Sequence, residues 1–324
     1  MFYLLQKDLR FQIFVLLALT GLFCYQLFAA PVAFCLYDPA LPYALSLDEW
    51  TVQHQTGARI GMLVLYIIQQ LLLYTYFKEN RFADNETLIP CIAWAAFMVV
   101  SGTATNCTPV FIANAAAIGL LRLSDDSESR HLKSRLLVAG ALVGIASLYD
   151  ITLLLLAVAV ILILVTNRLN TLTDIFVALI GILVPYIYVA AYHFFVGNLT
   201  DYLASFSAIS LQFPLFAARP SIVSIVCMVV CIALLIFILV RLKVRFDYKL
   251  IIIRKRFGNI HFLFIVSAAI LFLSNLPFPH SLGYLFVPIA LYIAAYAPSR
   301  RFSISKEVVL TLLLTAITLI GIGL

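Results

Sequence analysis

The chain has 324 residues, of which 64% are apolar and only 11% charged, with a net charge of +6 and a mean hydropathy of +1.08. A soluble domain carries roughly 25% charged residues, and no water-soluble core could bury this much apolar surface. A soluble fold is therefore excluded, and an all-α, polytopic helical membrane protein forming a single integral domain over residues 1–324 is expected.

Taken in chain order, apolar runs fall near 11–30, 60–77, 88–102, 109–121, 136–148, 151–167, 175–195, 221–240, 260–274, 282–297 and 308–324. That pattern predicts about 11 transmembrane helices. The first run follows a basic flank, and Ala29-Ala30-Pro31 is a poor cleavage site, so it reads as a retained signal-anchor helix. Runs 109–121, 136–148 and 151–167 are short for a hydrocarbon core that needs about 20 residues. The stretch 136–167 could be one long tilted helix, a re-entrant hairpin or two helices. The polar pair Tyr149-Asp150 at its middle favours a break there. Gly140 and Gly144 form a GxxxG beside Ala139, Ala141, Ala146 and Ser147, a pattern for close helix packing.

Charge sets the sidedness. With the N-terminus cytoplasmic, the inner segments receive 19 of the 21 basic residues, leaving only Arg59 and Arg219 outside. The cytoplasmic loop 241–259 holds seven of them, in RLKVRFDYKLIIIRKR. It is expected to lie against anionic lipid headgroups, which accounts for the basic excess without nucleic acid. The expected location is the inner (cytoplasmic) membrane, with membrane lipids as the immediate partners.

The outer face collects a different set. The first outer loop, 31–59, carries SLDEWTVQHQTGAR with Asp48, Glu49, His54 and Arg59; Asp38 also lies there. Further along come Asp150, His193, Asp201, Arg219, His280 and Tyr284. Ionisable groups at membrane depth are costly unless paired or solvated, and they often mark a site. Each also has a plainer role open to it. Asp48 and Glu49 could be solvated loop residues, Asp150 a helix cap for Ile151 onward, His193 a helix-to-helix hydrogen bond, and His280 part of a turn.

Most reaction classes fall away. No P-loop, Rossmann glycine fingerprint, HExxH, GxSxG or EF-hand pattern occurs. The deep polar residues are Gln69, Gln70 and Asn114, and no repeat marks a transporter. The six cysteines contain no CxxC pair, so neither a disulfide framework nor structural zinc is expected. No cofactor is expected; Asp48, Glu49 and His54 could together hold a divalent cation.

Two stretches carry a resemblance. Leu132–Leu169 followed by Ala178–Leu199 joins a basic inner loop, a slim AG-xxx-G-x-A helix, a short outer break, an apolar helix and a proline-bearing helix ending in GN. Phe278–Tyr296 brings His280, Tyr284 and Pro288. Both stretches resemble C-type membrane glycosyltransferases, which take sugars from polyprenyl carriers on the outer face and use an acidic residue in the first outer loop. That resemblance makes Asp48 the lead catalytic candidate and Glu49 the second. Substrate contacts then fall to His54, Arg59, His193, Arg219, His280 and Tyr284, with a polyprenyl-linked sugar as partner. The first outer loop is shorter than usual in those enzymes, and no soluble outer domain follows the last helix. Together with Lys78–Leu88, the same stretches also resemble a family of polytopic inner-membrane proteins of Bacteroidota, a likeness that brings no activity with it. The rival class is a non-catalytic scaffold or assembly subunit of an envelope complex, with protein partners there.

Overall fold

The structure, a computed structural model, describes residues 8–29, 54–83, 87–101, 108–124, 132–166, 172–207, 222–274, 281–297 and 304–321. Every regular element among them is helical. In chain order these are α1 Leu9–Ala29, α2 Gln55–Glu79, α3 Ile89–Val100, α4 Thr108–Ser124 and α5 Leu132–Tyr149. A 3-10 turn, Ile151–Leu155, leads into α6 Leu156–Thr166, followed by α7 Leu172–Val196, α8 Leu199–Ser207, α9 Ile222–Asp247 and α10 Ile251–Leu273. A second 3-10 turn, Ser281–Leu285, opens α11 Phe286–Tyr296, and α12 is Ile304–Gly321.

Among the described residues, each of the eleven apolar runs falls on helical structure, and α1, α2, α5, α7 and α10 are long and apolar enough to cross a membrane. Helix α5 reaches that length because it begins at Leu132, ahead of the apolar run, where Lys133 and Arg135 are good helix formers. The break expected at Tyr149-Asp150 is present: α5 stops at Tyr149 and the chain restarts as the 3-10 turn. Two boundaries differ from the sequence-based expectation. Helix α2 starts at Gln55, so its first turn occupies the end of the first outer loop. Helices α9 and α10 run through most of the basic segment 241–259, leaving a turn at 248–250.

The outward faces are apolar. Ile60, Val64, Ile67, Ile68 and Leu71 on α2 are exposed, as are Phe176, Ile180, Leu183 and Ile187 on α7. Contiguous apolar surface of this kind belongs against lipid rather than water. At the centre sits α11, apolar all round and buried from Phe286 to Tyr296, with α3, α4, α9 and α10 packed on it.

Side-chain contacts fix the relative directions of the helices. Gln12 on α1 accepts the Leu88 amide at 2.6 Å and Gln26 donates to the Val99 carbonyl at 2.9 Å, so α1 and α3 run in the same direction. Helices α2 and α4 do likewise. Gln69 donates to the Phe111 carbonyl at 3.2 Å, and Arg122 grips Glu79 through a two-pronged ion pair of 2.6 and 3.0 Å. Helices α5 and α7 are parallel and extremely close. A side-chain carbon on Gly140 would overlap the Ala178 carbonyl, and one on Gly181 would overlap the Leu137 carbonyl. The GxxxG is therefore a helix-packing face, as its spacing predicts. Arg245 of α9 donates to the Ala295 carbonyl of α11 at 2.8 Å, which brings the C-terminal ends of those two helices together.

Two ends of the bundle follow. One carries Glu79, Arg122, Arg245 and the stacked Phe246 and Phe257 rings, 4.0 Å apart, beside Phe82. The other carries Arg59, Asp150, His193, Ser274 and Tyr284. Apart from Lys306, every basic residue described lies toward the Arg122 end except Arg59.

Candidate functional site

At the second end the organising group is Asp150. Its backbone is extended, and one carboxylate oxygen accepts the Thr152 amide at 2.9 Å and the Thr152 hydroxyl at 2.6 Å. This is the helix cap that the sequence offered as its local role. The other oxygen accepts the Tyr284 hydroxyl at 2.6 Å and the Ser274 hydroxyl at 3.0 Å. One carboxylate thus joins the α5 break, the end of α10 and the turn that opens α11. Ser274 and Tyr284 are buried, so the bonds their hydroxyls donate to this carboxylate are shielded from water.

Below this cluster the polar contacts turn to the main chain. Asn114 donates to the Val110 and Gly283 carbonyls at 2.7 and 3.0 Å, tying α4 to the same 3-10 turn. Gly283 is required there, since a side-chain carbon would collide with Val110. The deep polar residues Gln69 and Asn114 therefore hold the scaffold of this end together.

A second group lies against the α5 and α7 termini. The short helix α8 folds back so that Tyr202 packs with Leu148, Tyr149 and Tyr186. His193, 7% exposed, lies parallel to the Tyr202 ring with centroids 4.9 Å apart. Ser147 and the Tyr186 hydroxyl are 2.8 Å apart beneath them. Burial, reinforced by Tyr186, pushes the Tyr202 phenol up to about 12, so it keeps its proton in any physiological medium.

Arg59 sits in the first turn of α2 with its guanidinium 5.8 Å from the Phe28 ring, fastening the start of α2 to the end of α1. His54 is exposed at the residue before α2 and makes no side-chain cap. Asp48, Glu49, Arg219 and His280 lie outside the described residues. Of the residues singled out from sequence, the structure gathers His54, Arg59, Asp150, His193 and Tyr284 at one end and joins Asp150 directly to Tyr284. Ser274, Thr152 and Tyr202 were not among them. Thr152 is legible as the second residue after an aspartate cap, whereas nothing local in sequence signals Ser274.

Among the described residues, no group of three or more His, Cys, Asp and Glu side chains could hold a metal ion. The Asp150 carboxylate is committed to hydroxyl and amide donors, an arrangement suited to holding chain segments in place.

Residues 44–194 match the sequence model of the family described as dolichyl-phosphate-mannose-protein mannosyltransferase. The match takes in Asp48, Glu49, His54, Arg59, Asp150 and His193, while Arg219, His280 and Tyr284 lie beyond it. No curated protein and no solved structure matches the chain. The chain is an integral, multi-pass helical membrane protein, glycosyltransferase-like over the matched stretch.

Proposed function

We propose that the protein is a small membrane glycosyltransferase of the inner membrane that takes a sugar from a polyprenyl-phosphate carrier at the Asp150 end of the bundle. The observation that carries this is the match over 44–194, which begins just ahead of Asp48-Glu49. In this scheme the N-terminus and the Arg122 end face the cytoplasm, about eleven helices cross the bilayer, and the Asp150 end faces outward. The segregation of basic side chains supports that orientation.

Asp48 takes the proton from an acceptor hydroxyl as its oxygen bonds to the anomeric carbon, with Glu49 as the alternative base. The bond from that carbon to the carrier phosphate oxygen breaks, and the phosphate leaves with the electron pair. Arg59 or Arg219 meets the negative charge that develops on it. His54, His193, His280 and Tyr284 are assigned to the substrate, with Tyr284 held in place by Asp150. No cofactor takes part in this scheme.

The test is direct. Purified protein in liposomes containing a polyprenyl-phosphate-linked sugar pool, radiolabelled in the sugar, is expected to release free carrier phosphate and label an added glycan or lipid acceptor. Complete recovery of intact donor across the range of carriers and acceptors would leave the scaffold class standing and remove the enzyme.

A further inference from the structure

The α9–α10 hairpin has two features that do not belong to the proposed site. From Ile222 to Val240, α9 has 19 residues free of Asp, Glu, Lys and Arg, about 28 Å of helix. In α10 the stretch free of those residues runs from Phe257 to Leu273, about 26 Å. Both lengths approach the ~30 Å hydrocarbon thickness, so residues 241–256 project beyond it. The last seven residues of α9 alone extend about 10 Å further, which covers the headgroup layer.

This projecting tip is built from two kinds of side chain. Tyr248, Leu250, Ile251 and Ile252 are 89%, 72%, 63% and 61% exposed. Around them stand Arg241, Lys243, Arg245, Lys249, Arg254, Lys255 and Arg256, with Asp247 as the single acid. Arg245 is used internally, bonded to Ala295, and Arg241 rests on the Phe237 ring at 5.4 Å. A cluster of large apolar groups at this height would be unfavourable in water, and hydrocarbon-facing lipid lies too deep to cover it upright. A surface that is anionic outside and apolar just beneath fits both components, because the basic side chains meet its charge while the apolar tip enters its acyl boundary.

We propose that the tip of the α9–α10 hairpin leans over to dock on an anionic phospholipid surface, inserting Tyr248, Leu250, Ile251 and Ile252 between the headgroups. The docking is independent of any transferase activity and of which compartment the end faces.

Tyr248→Trp makes the tip report on itself. Its emission, after subtracting that of the unsubstituted protein, is measured in nanodiscs of phosphatidylglycerol and of phosphatidylcholine. The expected result is a blue-shifted signal in phosphatidylglycerol, most of which is lost when the acyl chains are brominated near the headgroup. In phosphatidylcholine the signal is expected to be red-shifted and unquenched. Raising salt to about 1 M, where the Debye length is about 3 Å, should move the phosphatidylglycerol signal toward the phosphatidylcholine one without any substitution. R254E/K255E/R256E in the Y248W background should do the same. Identical emission in the two lipids overturns the proposal, because the charges then do nothing. Blue emission that bromine never quenches also overturns it, because the tip is then covered by protein, whether a second copy or another partner.

Discussion

Asp48→Asn is expected to lower sugar transfer by about 10²–10⁴-fold, the range that a well-placed general base contributes. The substitution keeps the shape of the side chain and removes its ability to take a proton, so the loss should fall in kcat with KM for the donor little changed. Glu49→Gln is expected to cost far less, because the two residues are adjacent and only one can face the anomeric carbon in a given loop conformation. The pair is measured in the liposome assay at matched protein levels, with thermal unfolding as the control for folding. Equal activity of Asp48→Asn and the unsubstituted protein removes Asp48 as base, and a reversed order of the two variants hands the role to Glu49. Arg59 gives the comparison its structural setting, since it anchors the start of α2, five residues beyond His54, to Phe28 of α1.

The second large effect concerns stability. Asp150→Ala removes the carboxylate that accepts from the Tyr284, Ser274 and Thr152 hydroxyls and from the Thr152 amide. Leaving a buried donor unsatisfied typically costs about 1–3 kcal/mol, and losing an aspartate cap costs about 0.5–2 kcal/mol. Tyr284→Phe removes one donor and should cost about 1.5–3 kcal/mol, the range for a hydrogen bond to a charged group. Because the hydrogen bond between Tyr284 and Asp150 is lost in either single variant, the double variant should be less destabilised than the sum of the singles. A coupling of about 1–3 kcal/mol is expected from the double-mutant cycle, measured by unfolding in detergent. Additivity within about 0.5 kcal/mol would mean that the 2.6 Å contact between Tyr284 and Asp150 contributes nothing. Asp150→Asn should be milder than Asp150→Ala, since the amide oxygen still caps Thr152 while the charge toward Tyr284 is gone.

Much of this architecture is written in local sequence because the bilayer demands it. A spanning segment must satisfy its own backbone, so an apolar run of sufficient length has few alternatives to a helix. Helices α1, α2, α5, α7 and α10 have that length, and the polar pair Tyr149-Asp150 marks the end of α5. Boundaries are less legible, since hydropathy ends at the first charge and helices do not. Arg241 to Asp247 continue α9 because arginine and lysine are good helix formers that can reach water from its last turns. Helix α8 escapes notice in LTDYLASFS because nine residues of mixed character are too short to span and resemble a loop.

The candidate site is legible only in its inventory. Asp150 and Tyr284 stand out as outer-face residues, but they are 134 positions apart and no pattern in either stretch predicts that they touch. Their meeting depends on α11 lying at the centre of the bundle, which in turn depends on Gly283 allowing Val110 to approach. Ser274 is one more serine at a helix end until α10 and the α5 break come together. Such long-range pairings arise from packing of whole helices, so sequence can name the participants without naming the partners.

In the proposed scheme the Asp150 end and the Arg122 end face opposite compartments. Exposed single cysteines in a cysteine-free background, Thr56→Cys in the first turn of α2 and Arg254→Cys in the first turn of α10, measure this directly. A maleimide that cannot cross membranes is expected to label Thr56→Cys in intact cells and Arg254→Cys only after the inner membrane is opened. Labelling of both positions from the same side would contradict the alternating bundle and the outward-facing site together.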